Sequence, residues 1–192
     1  MAAVQEKRSK RDELIDTAIR LFGRNGFHAT GIDTILKEAG VAKMTLYNNF
    51  ASKDELAVAA VEEKSDRFLT ALMQWVETRA ESPRGGLLAL FDFYGDWFSA
   101  GDFAGCFFIN ACAEFADAGH DVHKAAAAAK QGIFAYIEKL AGDAGAKNPH
   151  GLAEQLMLLL EGATAIAQVS SAPIAARRAK RAADTLITGA LV

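Results

Sequence analysis

Residues 31–56 of this chain read GIDTILKEAGVAKMTLYNNFASKDEL, and this stretch decides the fold. Four of its apolar residues recur with the i, i+3, i+4, i+7 spacing of one helix face: Ile32, Ile35, Leu36 and Ala39. Gly40 suits the C′ position that ends a helix, and a second short helix is predicted to open at Val41 and Ala42. Two helices joined by a tight turn containing glycine make a helix-turn-helix, whose second helix can lie in the major groove of DNA.

The second predicted helix has an outward face that is unusual for a bundle helix. Ala42 and Leu46 share its inner face, and five polar or flexible side chains occupy the opposite and flanking positions: Lys43, Met44, Thr45, Tyr47 and Asn48. A plain αα-hairpin inside a larger bundle would be expected to show mostly Glu, Lys and Arg at these positions. The groups present are instead those that meet phosphates and base edges, so the pattern favours DNA binding.

The region from about Arg11 to about Glu63 closely resembles the N-terminal signature of the TetR family of bacterial transcriptional regulators. The residues that match lie in register along the stretch: Phe27, Ala29-Thr30-Gly31-Ile32, Ile35, Ala39-Gly40-Val41, Thr45-Leu46-Tyr47, Phe50 and Ser52-Lys53-Asp54-Glu55-Leu56. The resemblance implies a helix-turn-helix head that binds a double-stranded DNA operator. A further segment, Gly105–Ala111, is similar to a Gly-Cys-x-Phe-Ile-Asn-Ala stretch in a subgroup of the same family.

The resemblance assigns candidate DNA contacts to this chain residue by residue. The outward residues of the second helix are expected to enter the major groove: Lys43, Met44, Thr45, Tyr47 and Asn48. Thr30 and Lys53 are expected to hold phosphates. Thr30 also precedes the first helix of the motif, where its hydroxyl can cap free backbone N–H groups. Lys53 lies in the first turn of a helix, where a cation opposes the helix dipole, and a nearby phosphate would remove that conflict.

Two positions depart from the family pattern. Members usually have Ser or Thr where this chain has Gly31, and often Gly where it has Met44. The first change is expected to weaken a phosphate contact. The second places a long flexible side chain near the base edges, so we expect it to influence operator preference.

Charge alone does not indicate a nucleic-acid partner, because the formal net charge is −3. Residues 1–60 hold nine Lys or Arg and eight Asp or Glu, giving +1, and the remaining residues give −4. The cations of the first third concentrate before the first helix, at Lys7, Arg8, Lys10 and Arg11. Such a run is usually a solvated arm, but next to a helix-turn-helix it could also reach phosphate or the minor groove.

The rest of the chain predicts an all-α protein of about nine helices, with a three-helix head and a helical-bundle body. Helix 1 is predicted over Arg11–Gly23, and a Ser52-x-x-Glu55 capping box begins a long helix that runs to about Arg79. The predicted domains are a DNA-binding domain over residues 9–68 and an effector-binding and dimerisation domain over residues 69–192. The long helix crosses this boundary, so it would link the two domains mechanically.

Aromatic residues in the predicted body suggest either a packed core or a pocket for an unknown small-molecule effector. If a pocket exists, it is expected to be lined by Trp97, Phe98, Phe107, Asn110 and Glu114. A run of acidic and imidazole side chains contains residue types that can bind a metal: Glu114, Asp117, His120, Asp121 and His123. A solvated turn with a helix N-cap at Asp121 is favoured instead, and no metal, cofactor or catalytic residue is expected.

The last two predicted helices are apolar on one face and rich in small residues, which suits either closure of the monomer core or a four-helix dimer interface. The inner positions of the first are Leu152, Leu156, Leu159, Leu160, Ala163 and Ile166. The family resemblance points to these two helices as the homodimer interface. No apolar run approaches membrane-spanning length and no export signal is present, so a cytoplasmic protein with reduced Cys106 and Cys112 is expected.

Two functions therefore stay open at this point. The first is a homodimeric transcriptional regulator, a repressor of a palindromic operator that an effector releases. The second is a helical-bundle enzyme or small-molecule-binding protein whose head has lost DNA function, which the departures at Gly31 and Met44 would favour.

Overall fold

The computed structural model describes residues 9–170 and 173–191, and throughout these residues the regular elements are helices. In chain order they are α1 (Lys10–Asn25), α2 (Ile32–Ala39), α3 (Lys43–Tyr47), α4 (Lys53–Arg79), α5 (Pro83–Ser99), α6 (Phe107–Glu114), α7 (Asp121–Asp143), α8 (Pro149–Ser170) and α9 (Pro173–Leu191). The all-α prediction and its nine helices are confirmed within the described ranges. Lys7 and Arg8 of the basic arm lie outside them.

The chain forms two compact units. The described part of unit 1 contains residues 9–65 and 107–127, and that of unit 2 contains residues 66–106, 128–170 and 173–191. The boundary at residue 65 lies close to the one predicted from the sequence. The predicted domains were continuous, however, whereas α6 and the first turns of α7 pack with the N-terminal head.

Unit 1 is built around α1, whose ends are defined by local chemistry. Ser9 and Asp12 form a capping box, in which the Ser9 hydroxyl accepts from the Asp12 N–H at 3.1 Å. Gly26 ends the helix with φ 89°, a value that favours glycine, and donates its N–H to the Phe22 carbonyl at 2.9 Å. The buried stripe of α1 faces α2 and α3 and comprises Leu14, Ile15, Ala18, Leu21 and Phe22.

Unit 2 places α9 along both α5 and α8. Salt bridges join α9 to α5, from Lys180 to Asp92 at 2.6 Å and from Arg84 to Asp184 at 2.6 Å. Because Gly95 has no side chain, α5 and α9 approach closely there: a Cβ at Gly95 would lie 3.3 Å from the Cβ of Ala176. Close packing of this kind makes the three helices one bundle.

The outward face of α8 corrects two expectations from the sequence. Ile166, which was predicted to lie inside, is 53% exposed. By length and mean hydropathy α8 could also cross a membrane, although no run of that length was expected. Because α8 packs along α9 and contacts α5, its apolar character is that of a bundle helix with one uncovered apolar face.

Candidate nucleic-acid interface

The helix-turn-helix forms as the sequence predicted, and its turn is set by one glycine. Gly40 adopts the left-handed conformation, with φ 63°, after the last residue of α2. The N–H of Val41 donates to the carbonyl of Leu36 at 3.2 Å, which satisfies a carbonyl that the end of α2 would otherwise leave free. The chain therefore reverses tightly enough to place α3 against α1 and α2.

Three buried side chains determine which face of α3 points outward. Ile35 of α2 and Leu46 of α3 are fully buried, and Phe50 is 2% exposed just after α3. Asn49 donates its side-chain amide to the carbonyl of Thr45 at 2.7 Å, a contact that the sequence analysis missed. The short helix is thus held at both its inner face and its C-terminal end.

The opposite side of α3 is open to solvent. Met44 is 70% exposed and Tyr47 is 44% exposed, Lys43 and Asn48 are exposed, and Thr45 is half-buried. We refer to Lys43, Met44, Thr45, Tyr47 and Asn48 as the α3 face. Their roles in DNA contact stay a prediction, but the surface that this prediction requires is present.

Thr30 differs from the prediction. Its side chain is only 2% exposed, and its hydroxyl donates to the carbonyl of Gly26 at 2.7 Å. The N-cap of α2 is Gly31, and it provides no side-chain hydrogen bond. Thr30 therefore ties the α1–α2 turn together and does not cap α2, and because its proton is already donated it is poorly placed to bind a phosphate.

Lys53 begins α4 beside a capping arrangement close to the one predicted. The Ser52 hydroxyl accepts from the N–H of Glu55 at 3.1 Å, and the Glu55 carboxylate accepts from the N–H of Ala51 at 2.5 Å. Lys43 and Lys53 form no salt bridge with any carboxylate in the described residues. Both cations are therefore available for phosphates.

A third basic residue, Arg11, is held beside the end of α3. The guanidinium of Arg11 lies over the ring of Phe50, 5.1 Å from its centroid, in a cation–π contact. Arg11 is exposed, so this contact positions its charge at the start of α1 beside the residues that follow α3. Sequence periodicity could not have revealed this pairing, because the two residues are far apart in the chain.

The five predicted effector-pocket residues do not share one unit. Trp97 and Phe98 belong to unit 2, whereas Phe107, Asn110 and Glu114 belong to unit 1. Phe107 packs against Phe27, with ring centroids 5.0 Å apart. Glu114 accepts hydrogen bonds from the N–H groups of Phe27 and His28. The carboxylate of Glu114 is thus bound within unit 1, and the pocket assignment of these five residues stays a prediction.

The residues weighed as metal ligands have separate partners. The His28 ring contacts Glu114, and His120 lies 3.4 Å from a carboxylate oxygen of Asp54. His123 contacts the carbonyl of Phe115 at 2.7 Å through its Nδ1 atom. Asp121 pairs with Lys124, and this pair lowers the pKa of the Asp121 carboxyl. Among the described residues no group of three or more potential ligands could hold a metal ion.

Two short helices joined by a tight glycine turn, the second of which presents polar and flexible side chains to solvent, are the arrangement of helix-turn-helix DNA-binding proteins. The family model "Bacterial regulatory proteins, tetR family" matches residues 14–60, and the model "Tetracyclin repressor-like, C-terminal domain" matches residues 83–183. The chain belongs to the tetR family of bacterial regulatory proteins.

Curated relatives match part of this chain. The fatty acid metabolism regulator protein of Bacillus subtilis is 30% identical over 77 residues, which is 40% of this chain and 40% of that protein. The transcriptional activator FasR of Mycolicibacterium smegmatis is 34% identical over 87 residues, 44% of this chain and 40% of that protein. The repressor NemR of Escherichia coli is 27% identical over 130 residues, 67% and 65% of the two chains. The first two matches thus span well under half of either relative.

Solved structures match over almost the whole chain. A TetR-family transcriptional regulator from Streptomyces coelicolor superposes with a TM-score of 0.87 at 27% identity, covering 95% of this chain and 96% of that one. The reduced form of Escherichia coli NemR gives a TM-score of 0.84 at 24% identity, covering 93% and 96%. The second likeness shows the fold alone.

Proposed function

We propose that this protein binds a palindromic DNA operator as a homodimer and represses transcription there. The α3 face would enter the major groove, with Lys43, Tyr47 and Asn48 meeting phosphates or base edges. Lys53 would bind a phosphate. The observation that carries this proposal is the exposure of the α3 face on a helix whose inner residue, Leu46, is fully buried.

The homodimer is supported by the uncovered apolar face of α8. Along this helix an exposed stripe follows the spacing i, i+4, i+7, i+8, i+11: Leu158, Gly162, Ala165, Ile166 and Val169. Leu158 is 74% exposed and Val169 is 87% exposed, which is unusual for large apolar side chains in one row. A second copy related by two-fold symmetry would cover both stripes and present two α3 faces to two half-sites.

An effector is proposed to act through unit 2. The cluster of Phe68, Phe93, Tyr94 and Trp97 packs edge to face, and Trp97 is half-buried. Two buried atoms in this unit, Trp75 Nε1 and Glu161 Oε2, have no hydrogen-bond partner in the described residues. A mostly apolar molecule with one polar group would suit such surroundings, and it could act only by binding two states of the protein unequally.

The test is a gel shift with the DNA that flanks the protein's own gene, compared with unrelated DNA over a range of salt concentrations. Tyr47→Ala and Lys43→Ala should weaken retardation, whereas Lys139→Ala, which removes an exposed lysine paired with Asp143, should not. Retention of full affinity in Tyr47→Ala, or equal binding of all DNA at physiological salt, would contradict the proposal.

A further inference from the structure

The carboxylate of Glu114 lies against the turn between α1 and α2, although 86 residues separate it from that turn in the chain. Its Oε1 atom accepts from the N–H of Phe27 at 2.9 Å. Its Oε2 atom accepts from the N–H of His28 at 2.6 Å and lies 3.0 Å from the Nδ1 atom of the His28 ring. Two successive backbone N–H groups thus bind the two oxygens of one carboxylate, as in an anion-binding nest.

The turn has room for this carboxylate because residue 26 is glycine. A Cβ at Gly26 would lie 2.9 Å from Glu114 Oε1, and the φ of 89° already disfavours any other residue. On the other side, the ring of Phe27 stacks on that of Phe22 with centroids 4.7 Å apart. The carboxylate therefore occupies a site that both the backbone and the neighbouring rings define.

The same turn leads directly into the helix-turn-helix. Thr30 donates to the carbonyl of Gly26, and α2 begins two residues later at Ile32. Glu114 is the last residue of α6, and Phe107 at the start of α6 lies 3.6 Å from the position that a Cβ of Gly23 would occupy. Both ends of α6 thus contact the segment that sets where α2 starts.

We propose that Glu114 is a positioning residue for operator recognition, an inference that rests on the DNA-binding function proposed above. Its carboxylate holds the turn at residues 26–30 in the conformation that presents α2 and α3 to DNA. A displacement of the C-terminal end of α6 would break these hydrogen bonds and release the turn. The hydrogen bonds from the Phe27 and His28 N–H groups to the Glu114 carboxylate are charge-assisted, and such bonds are shorter and stronger than neutral ones.

The decisive variant is Glu114→Gln, which keeps the size of the side chain but replaces one acceptor oxygen by a donor NH₂ group. A matched control is Glu138→Gln, because Glu138 also lies 3.0 Å from a histidine ring, that of His150, and no backbone N–H bond to it is present in the described residues. His28→Ala removes the ring contacts with Glu114 and Phe115 but keeps the backbone N–H bond to the Glu114 carboxylate; because the ring is exposed, its loss is expected to matter little.

The probe is a duplex that the wild-type protein enriches from a pool of random-sequence DNA. Glu114→Gln should bind it about tenfold more weakly, which corresponds to about 1.4 kcal/mol, the loss of one charge-assisted hydrogen bond. Glu138→Gln should match the wild type, and His28→Ala should stay within about threefold of it. Failure of the wild-type protein to enrich any duplex would refute the proposed function itself, separately from the role of Glu114.

Amide hydrogen exchange distinguishes positioning from general loss of stability. In Glu114→Gln, exchange should accelerate at Phe27, His28 and α2 and stay unchanged in α8 and α9. Accelerated exchange throughout the protein would show a merely structural role and overturn the proposal. Wild-type affinity in Glu114→Gln, or unchanged exchange at Phe27 and His28, would overturn it equally.

Discussion

Replacement of Leu158 by alanine tests the dimer surface most directly. Leu158 is 74% exposed in the single chain, so its side chain contributes little to the stability of the monomer. Burying the lost methine and two methyl groups would contribute about 0.8 kcal/mol for each carbon, or about 2 kcal/mol per copy after allowing for the part that is already covered. A two-fold interface contains the residue twice, which gives about 4 kcal/mol per dimer. The dissociation constant should therefore rise about a thousandfold.

Sedimentation equilibrium over a dilution series measures this constant, and circular dichroism checks that helix content is unchanged. Ile109→Ala is the matched control, because Ile109 is also a large exposed apolar residue, at 44%, but lies on α6. The reasoning would be refuted if Leu158→Ala dimerised as tightly as the wild type, or if Ile109→Ala dissociated equally. A wild-type protein that stays monomeric at micromolar concentrations would refute the homodimer.

Three further substitutions and one pH dependence have outcomes that can be predicted from the contacts described above. Leu46→Ala removes a fully buried anchor of α3 and should lower the free energy of unfolding by about 2–5 kcal/mol, measured with denaturant; a loss under about 1 kcal/mol would contradict its placement. Lys43→Ala should make the slope of log affinity for DNA against log salt concentration shallower by about 0.9. An unchanged slope would exclude a phosphate contact by Lys43. Gly105→Ala places a Cβ on a residue with φ 90° and 2.5 Å from Gln168 Cδ. The free energy of unfolding, measured by thermal denaturation, should therefore fall by about 1–2 kcal/mol. A variant as stable as the wild type would contradict this strain. Partial burial raises the pKa of Glu114, but the bonds from His28 and Phe27 outweigh it and lower the pKa below its ordinary value. The stabilisation from Glu114 is therefore full above the pKa of the carboxyl in the unfolded chain and disappears as the pH falls through its pKa in the folded protein. Over that acidic range the free energy of unfolding should fall less in Glu114→Gln than in the wild type, as measured by denaturant titration at each pH.

The helices and the head were predictable because their signals are local. The spacing of Ile32, Ile35 and Leu36, the glycine at position 40 and the Ser52-Glu55 pair each act within a few residues. Such short-range patterns determine where a helix begins, which face is apolar and where the chain turns. The long helix α4 accordingly ends at Arg79, the residue predicted from the sequence.

The candidate site was predictable only on the α3 face. There the outward residues follow from helical periodicity once Leu46 is placed inside. Thr30 was misjudged as a cap because its true partner, the carbonyl of Gly26, belongs to an irregular turn whose geometry has no periodic signature. Arg11 was recognised only as part of a basic run, and its position over Phe50 depends on how α1 meets the end of α3.

The amino-acid sequence by itself determined that this protein is all helical, that it carries a helix-turn-helix and which side chains of α3 face solvent. Tertiary structure alone decided that α6 packs within the head, that Glu114 binds the turn at Phe27 and His28, and that Leu158 and Ile166 lie on an open face of α8. The physical reason is the separation along the chain over which each kind of interaction acts. Periodicity and capping act between residues a few positions apart, whereas these features join residues brought together only when the helices pack.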